Sequence, residues 1–239
     1  MFEGFVGIRL WDGQWINDVI FGMVFMLFVC FAIVFHANYR LFLKMLNDMI
    51  HLKEHQHTFG VTGGREWFFR NFMTVQALLL CGICLFAIAR MKGYVDLLSE
   101  TRQLEVLAAV IGLLFLFYWG KRCCYWILGL VFTNPEQYRF WRMGYNAAIG
   151  MWGALLYVPT LWLLFVESYL HIPIYLFVLL YVLGRFVIIN KLIRIFYRQN
   201  GSFLYLSLYL CGQEILPLFF IYKVVVYLYN YFGSSTLWH

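Results

Sequence analysis

Apolar residues in this chain fall in long runs broken by short polar stretches, at about 19–36, 68–89, 104–120, 145–166, 172–190 and 203–232. A helix rises 1.5 Å per residue, so runs of roughly 20 residues match the ~30 Å hydrocarbon core of a bilayer. The pattern predicts an all-α, polytopic membrane protein: a single domain over 1–239, a bundle of about six transmembrane helices with interfacial amphipathic helices. After the first run, Arg40, Lys44, Asp48, His51 and His55 recur at spacings of three and four, and Leu41, Leu43, Met45, Leu46, Met49 and Ile50 fill the other side. That is an amphipathic helix on the membrane surface or an extension of the first span. Gly60, Gly63 and Gly64 then break it.

The third run meets Lys121-Arg122, whose long side chains are expected to snorkel to the interface. Cys123 to Phe132 is apolar again and continues the helix until Asn134-Pro135. In the fourth run Gly150 and Gly153 allow close helix contact, and Pro159 frees the carbonyl of Leu155. The last run exceeds what a bilayer requires, which predicts tilt or a kink at Pro217.

Composition agrees with this pattern. Hydrophobic residues are 63% of the chain and charged ones 13%, against roughly 45–50% and about 25% in soluble domains. The net charge of +6 is explained by placement. Twelve Lys and Arg lie in the connections after the first, third and fifth spans, against four on the opposite side. By the positive-inside rule the basic side is cytoplasmic and both termini lie outside the cytoplasm. No basic run is interleaved with exposed aromatics, so no nucleic-acid binding is expected. Glu3, Asp12 and Asp18 against Arg9 reverse the charge of a signal-peptide n-region, so the first run is expected to be a retained anchor.

Candidate chemistry centres on Gly212-Gln213-Glu214-Ile215-Leu216-Pro217. Glu214 falls near the bilayer midplane, where an ionisable group is costly. Pro217 blocks the helical bond to the Gln213 carbonyl. One turn thus offers a carboxyl, an amide and a freed oxygen to a proton or a cation, as discontinuous helices do in transporters. The alternative is a protonated or hydrogen-bonded Glu214 that pins the bundle. Its polar company in other spans comprises Gln76, Asn146, Tyr157 and Arg185.

Cys81-Gly-Ile-Cys84 has redox-dithiol spacing, but the exported segments hold no second cysteine pair, and two small residues packing on one helix face account for it. His51 and His55 stand one turn apart and are the weak candidates for a metal site; a solvated interfacial face accounts for them as well. No P-loop and no Gly-x-Ser-x-Gly elbow occurs. No cofactor is expected. The basic faces at Arg40 and Lys44, and at Lys191, Arg194 and Arg198, suit anionic lipid headgroups or a partner protein.

Three stretches together, Asn134-Pro135 with the Tyr145-Asn146 span, the Lys191-to-Gly201 turn, and Phe203 to Lys223 with its Glu-x-x-Pro element, resemble an uncharacterised family of integral membrane proteins of the Bacteroidota. The resemblance implies a cell-envelope protein of a Gram-negative inner membrane and carries no reaction with it. Three functions fit: a non-enzymatic assembly or partner-binding subunit, a small transporter or proton-coupled element using Glu214, and a membrane enzyme acting on lipid or thiols.

Overall fold

The computed structural model describes residues 15–50, 64–93, 95, 99–132, 135–166, 169, 171–197, 212 and 223, with 47–50, 128–132, 135–141 and 191–197 described as backbone. The described residues form seven helices and no strand. They are α1 (Trp15–Ala37), α2 (Tyr39–Ile50), α3 (Gly64–Met91), α4 (Glu100–Phe132), α5 (Pro135–Leu155), α6 (Tyr157–Phe165) and α7 (His171–Tyr197). Five stretches are long and apolar enough to cross a membrane: Trp15–Ala37, Gly64–Met91, Glu100–Ile127, Arg142–Phe165 and His171–Asn190. They coincide with the first five predicted spans, and the chain is a multi-pass membrane protein. The sixth predicted span, 203–232, lies outside the described residues apart from Gly212 and Lys223.

Helix boundaries follow local chemistry. Asn38 closes α1: its side-chain amide donates to the Val34 carbonyl at 3.0 Å, while its own carbonyl accepts from the backbone N–H of Leu41 at 2.8 Å and starts α2. α5 opens on Pro135, where a missing N–H costs nothing. The fourth span breaks at Leu156 into α5 and α6. Pro159 is the cause, since it cannot donate to Leu155. Thr160 reinforces the bend, its hydroxyl donating to the Leu156 carbonyl at 2.7 Å.

The chain groups into two compact units, Met1–Phe117 with Met143–Gly184, and Tyr118–Arg142 with Arg185–His239. In the second, Lys121 departs from expectation. It is buried, its ammonium 5.9 Å from the centroid of the Tyr125 ring. A cation over an aromatic face recovers part of its desolvation cost, so the side chain has an alternative to snorkelling.

In the first unit, α3 is the central helix. At one end Arg65 donates from Nε to Asn38 Oδ1 at 2.7 Å and from Nη2 to the Ala37 carbonyl; at the other, Arg90 Nη1 donates to Asn17 Oδ1. These two ties set α1 antiparallel to α3. Against α5 and α6 the register is parallel: Met73 meets Gly150, Ala77 meets Gly153, and Cys84 and Ala87 cluster with Leu163. α7 returns antiparallel, with Tyr181 6.2 Å from Trp152 and Ile174 beside the Leu163 cluster. Ile111 of α4 lies over Gly82. α2 packs Leu41, Phe42 and Met45 onto Phe69, Met73 and Ala147, so part of its apolar stripe is buried against protein.

The tightest contact is glycine-dependent. A Cβ on Gly153 would lie 2.7 Å from the Cα of Ala77, a backbone atom that cannot rotate away. Gly153→Leu is therefore expected to force α5 off α3 and cost about 3 kcal/mol or more. Gly22→Ala, on open surface, is expected to stay within about 0.5 kcal/mol of the parent. Thermal unfolding of the two purified variants in one detergent checks the difference.

Candidate functional site

The polar residues of the first unit are strung along α3. At its start Glu66 lies between two cations. Lys44 Nζ on α2 stands 3.2 Å from Oε1 and 3.1 Å from Oε2, and Arg70, one turn further along α3, reaches Oε1 from Nη2 at 2.8 Å and from Nε at 3.1 Å. Arg70 also donates from Nη1 to the Met143 carbonyl of α5 at 3.1 Å, and its own carbonyl accepts from the Thr74 hydroxyl at 2.9 Å. The carboxylate thus ties α2 to α3, and Arg70 carries the network on to α5. The side chains of Arg70 and Glu66 are 7% and 13% exposed and that of Lys44 is 55% exposed. The inner half of the network is shielded, and the outer half is screened by solvent.

Halfway along α3 the chemistry changes. Gln76 is 1% exposed, and neither its amide nitrogen nor its oxygen has a hydrogen-bond partner. Ala77 beside it makes the crossing with Gly153. Around that crossing the indole N–H of Trp152 and the hydroxyl of Tyr157 are also buried and unpaired. Tyr157 is held by rings on α1, with Phe28 and Phe31 each 5.6 Å away between centroids. An unpaired buried polar group costs about 1–3 kcal/mol. In a membrane protein, polar groups at mid-span mark candidate ion or substrate paths.

Further along, Cys81 and Cys84 are buried, each inside an apolar cluster: Cys81 with Leu80, Leu156 and Tyr157, and Cys84 with Ala87 and Leu163. Both pack as small apolar residues.

The candidates read from sequence are distributed unevenly. Glu214, Gln213, Arg198, His51 and His55 lie outside the described residues. Lys191 and Arg194 lie on the last turns of α7, with backbone alone described. Arg185 is half-buried on α7 and Asn146 half-buried on α5; they belong to different units. Arg40 is exposed on α2, and Lys44 is the arm of the Glu66 network. Among the described residues no group of three His, Cys, Asp or Glu is placed to hold a metal.

Sequence reasoning misses the network itself. Its signal is present: Glu66 precedes Arg70 by four residues, the favourable order for a helical ion pair. Taken as a topology signal alone, Arg70 hides the acid that neutralises it.

Residues 20–225 match the model of a protein family described as a domain of unknown function, DUF4271. No curated protein and no solved structure matches the chain.

The network gives a graded expectation. Glu66→Gln takes the counter-charge from a buried guanidinium and is expected to cost about 3–5 kcal/mol. Lys44→Ala removes an exposed partner and is expected to cost no more than about 1 kcal/mol. Detergent-resistance melting curves rank the two.

Proposed function

The chain belongs to the DUF4271 family, and we propose that it is a non-enzymatic subunit of the bacterial inner membrane, both termini periplasmic, that assembles with envelope proteins or anionic lipids through its cytoplasmic face. The observation that carries this reading is the fixed basic surface around Glu66. Arg40, Lys44 and Arg65 are exposed there, and the carboxylate tie to α3 and α5 holds the helix that bears two of them. A docking surface fixed in advance loses little ordering entropy on binding. Among the interior polar groups, Arg70 ties α3 to α5, and the Thr74 and Thr160 hydroxyls are taken up by carbonyls one turn back in their own helices. Lys191, Arg194 and Arg198 extend the same basic side by the charge count of the sequence. The Bacteroidota envelope as its setting rests on the resemblance of the Phe203–Lys223 stretch.

Purification of the tagged protein in mild detergent, read by mass spectrometry for proteins and lipids together, tests this directly. A stoichiometric protein or anionic-lipid partner is expected, and it should be lost on reversing the charge of exposed Arg40 together with those of Arg194 and Arg198. A preparation free of both would overturn the reading.

The unpaired Gln76 favours a second reading, a small proton- or ion-coupled transporter using Glu214 with Gln213. The two readings make opposite predictions for Gln76→Leu. If the bundle is an assembly element, removing an unsatisfied amide should stabilise it by about 1 kcal/mol and preserve partner capture. If an ion path runs through mid-span, Gln76→Leu and Glu214→Gln should both abolish flux in proteoliposomes while the fold stays intact.

A further inference from the structure

At the opposite end of α3 from Glu66, the first unit holds a cavity of about 580 Å3 between α1, α3 and α6. Phe86 and Leu163 line its inside and Phe21 and Phe165 its opening, the last two rings edge to face at 5.5 Å between centroids. Three polar residues line it as well: Asn17, Asp18 and Arg90. Arg90 is fixed by its bond to Asn17 Oδ1, and Asp18 is the next residue of the same helical turn. A positive and a negative charge thus stand beside an apolar recess.

Its depth in the membrane is set by its surroundings. Trp15, one turn before Asp18, is exposed, as is Tyr169 just beyond the end of α6. Exposed Trp and Tyr at span ends mark the headgroup level of a bilayer. The volume falls within the roughly 300–1,000 Å3 of small-molecule sites.

From these features we infer that the cavity is a binding site for a zwitterionic aminophospholipid of the surrounding bilayer. The phosphate would lie toward Arg90, the ammonium toward Asp18, and an acyl chain along Phe21, Phe86 and Leu163. Opposite charges at the rim select for a zwitterion. A purely anionic headgroup is drawn to Arg90 and repelled by Asp18, since both residues line the same recess. The site is separate from the basic cytoplasmic face and independent of the proposed partner.

The test uses the full-length protein in nanodiscs of equal phosphatidylethanolamine and phosphatidylglycerol, with retained lipid read by native mass spectrometry. Wild type is expected to retain phosphatidylethanolamine over phosphatidylglycerol by about fivefold, what one exposed ion pair is worth at its upper measured strength. Asp18→Lys, a change at an exposed position, should reverse the preference. Leu163→Trp fills the recess and should lose the retained lipid. Equal retention of both lipids by wild type, or a preference unchanged in Asp18→Lys, overturns the proposal. Should Leu163→Trp fail to fold, Asp18→Lys decides alone.

Discussion

Gly153 has no side chain, and Ala77 occupies the place where one would begin. In lipid the hydrophobic effect gives helices little reason to associate, so close packing and interhelical hydrogen bonds must do so. The Ala77–Gly153 approach brings two backbones together at mid-span and fixes the register of α3 against α5. With that register set, Met73 falls on Gly150, Arg70 comes within reach of the Met143 carbonyl, and Cys84 joins Leu163. α2 then rests on the platform that α3 and α5 make together.

The same helix carries two kinds of polar group with opposite consequences. Arg70 is buried but fully employed, with Glu66 on one side and a backbone carbonyl on the other. Gln76, six residues later, is equally buried and has no partner. A charge that is bonded can hold a bundle together, whereas an unbonded amide is a standing cost unless it serves another purpose. That contrast is why Gln76 separates the two functional readings better than any charged residue near the membrane surface.

The first five spans were legible because an apolar run of bilayer length suits a membrane-crossing helix and little else. Gly150 and Gly153 were legible too, as small residues spaced along one face, and Pro159 marked the break between α5 and α6. The sequence could not show which residue would meet Gly153, because Ala77 belongs to a helix some seventy positions away and nothing local pairs them. Lys121 shows a different limit. Snorkelling is the default for a lysine beside an apolar run, and burial over Tyr125 depends on a neighbour one turn onward having an aromatic face. The Glu66 network was half visible, since spacing reveals the Arg70 pair but not Lys44 arriving from another helix. The cavity beside Arg90 was invisible, since it is made by three helices jointly.

The two arginine ties between α1 and α3 also bear on how the protein is made. Asn38 and Asn17 are synthesised first, and the guanidinium groups they receive come from the start and the end of α3. α1 therefore leaves the ribosome with neither tie available. Arg65 can engage it once α3 begins to emerge. The second tie requires Arg90, so the pair locks only when all of α3 has been translated and its far end has crossed the bilayer. The α1–α3 hairpin is in this sense a checkpoint on topology: an α3 inserted in the wrong direction would present each arginine to the wrong end of α1.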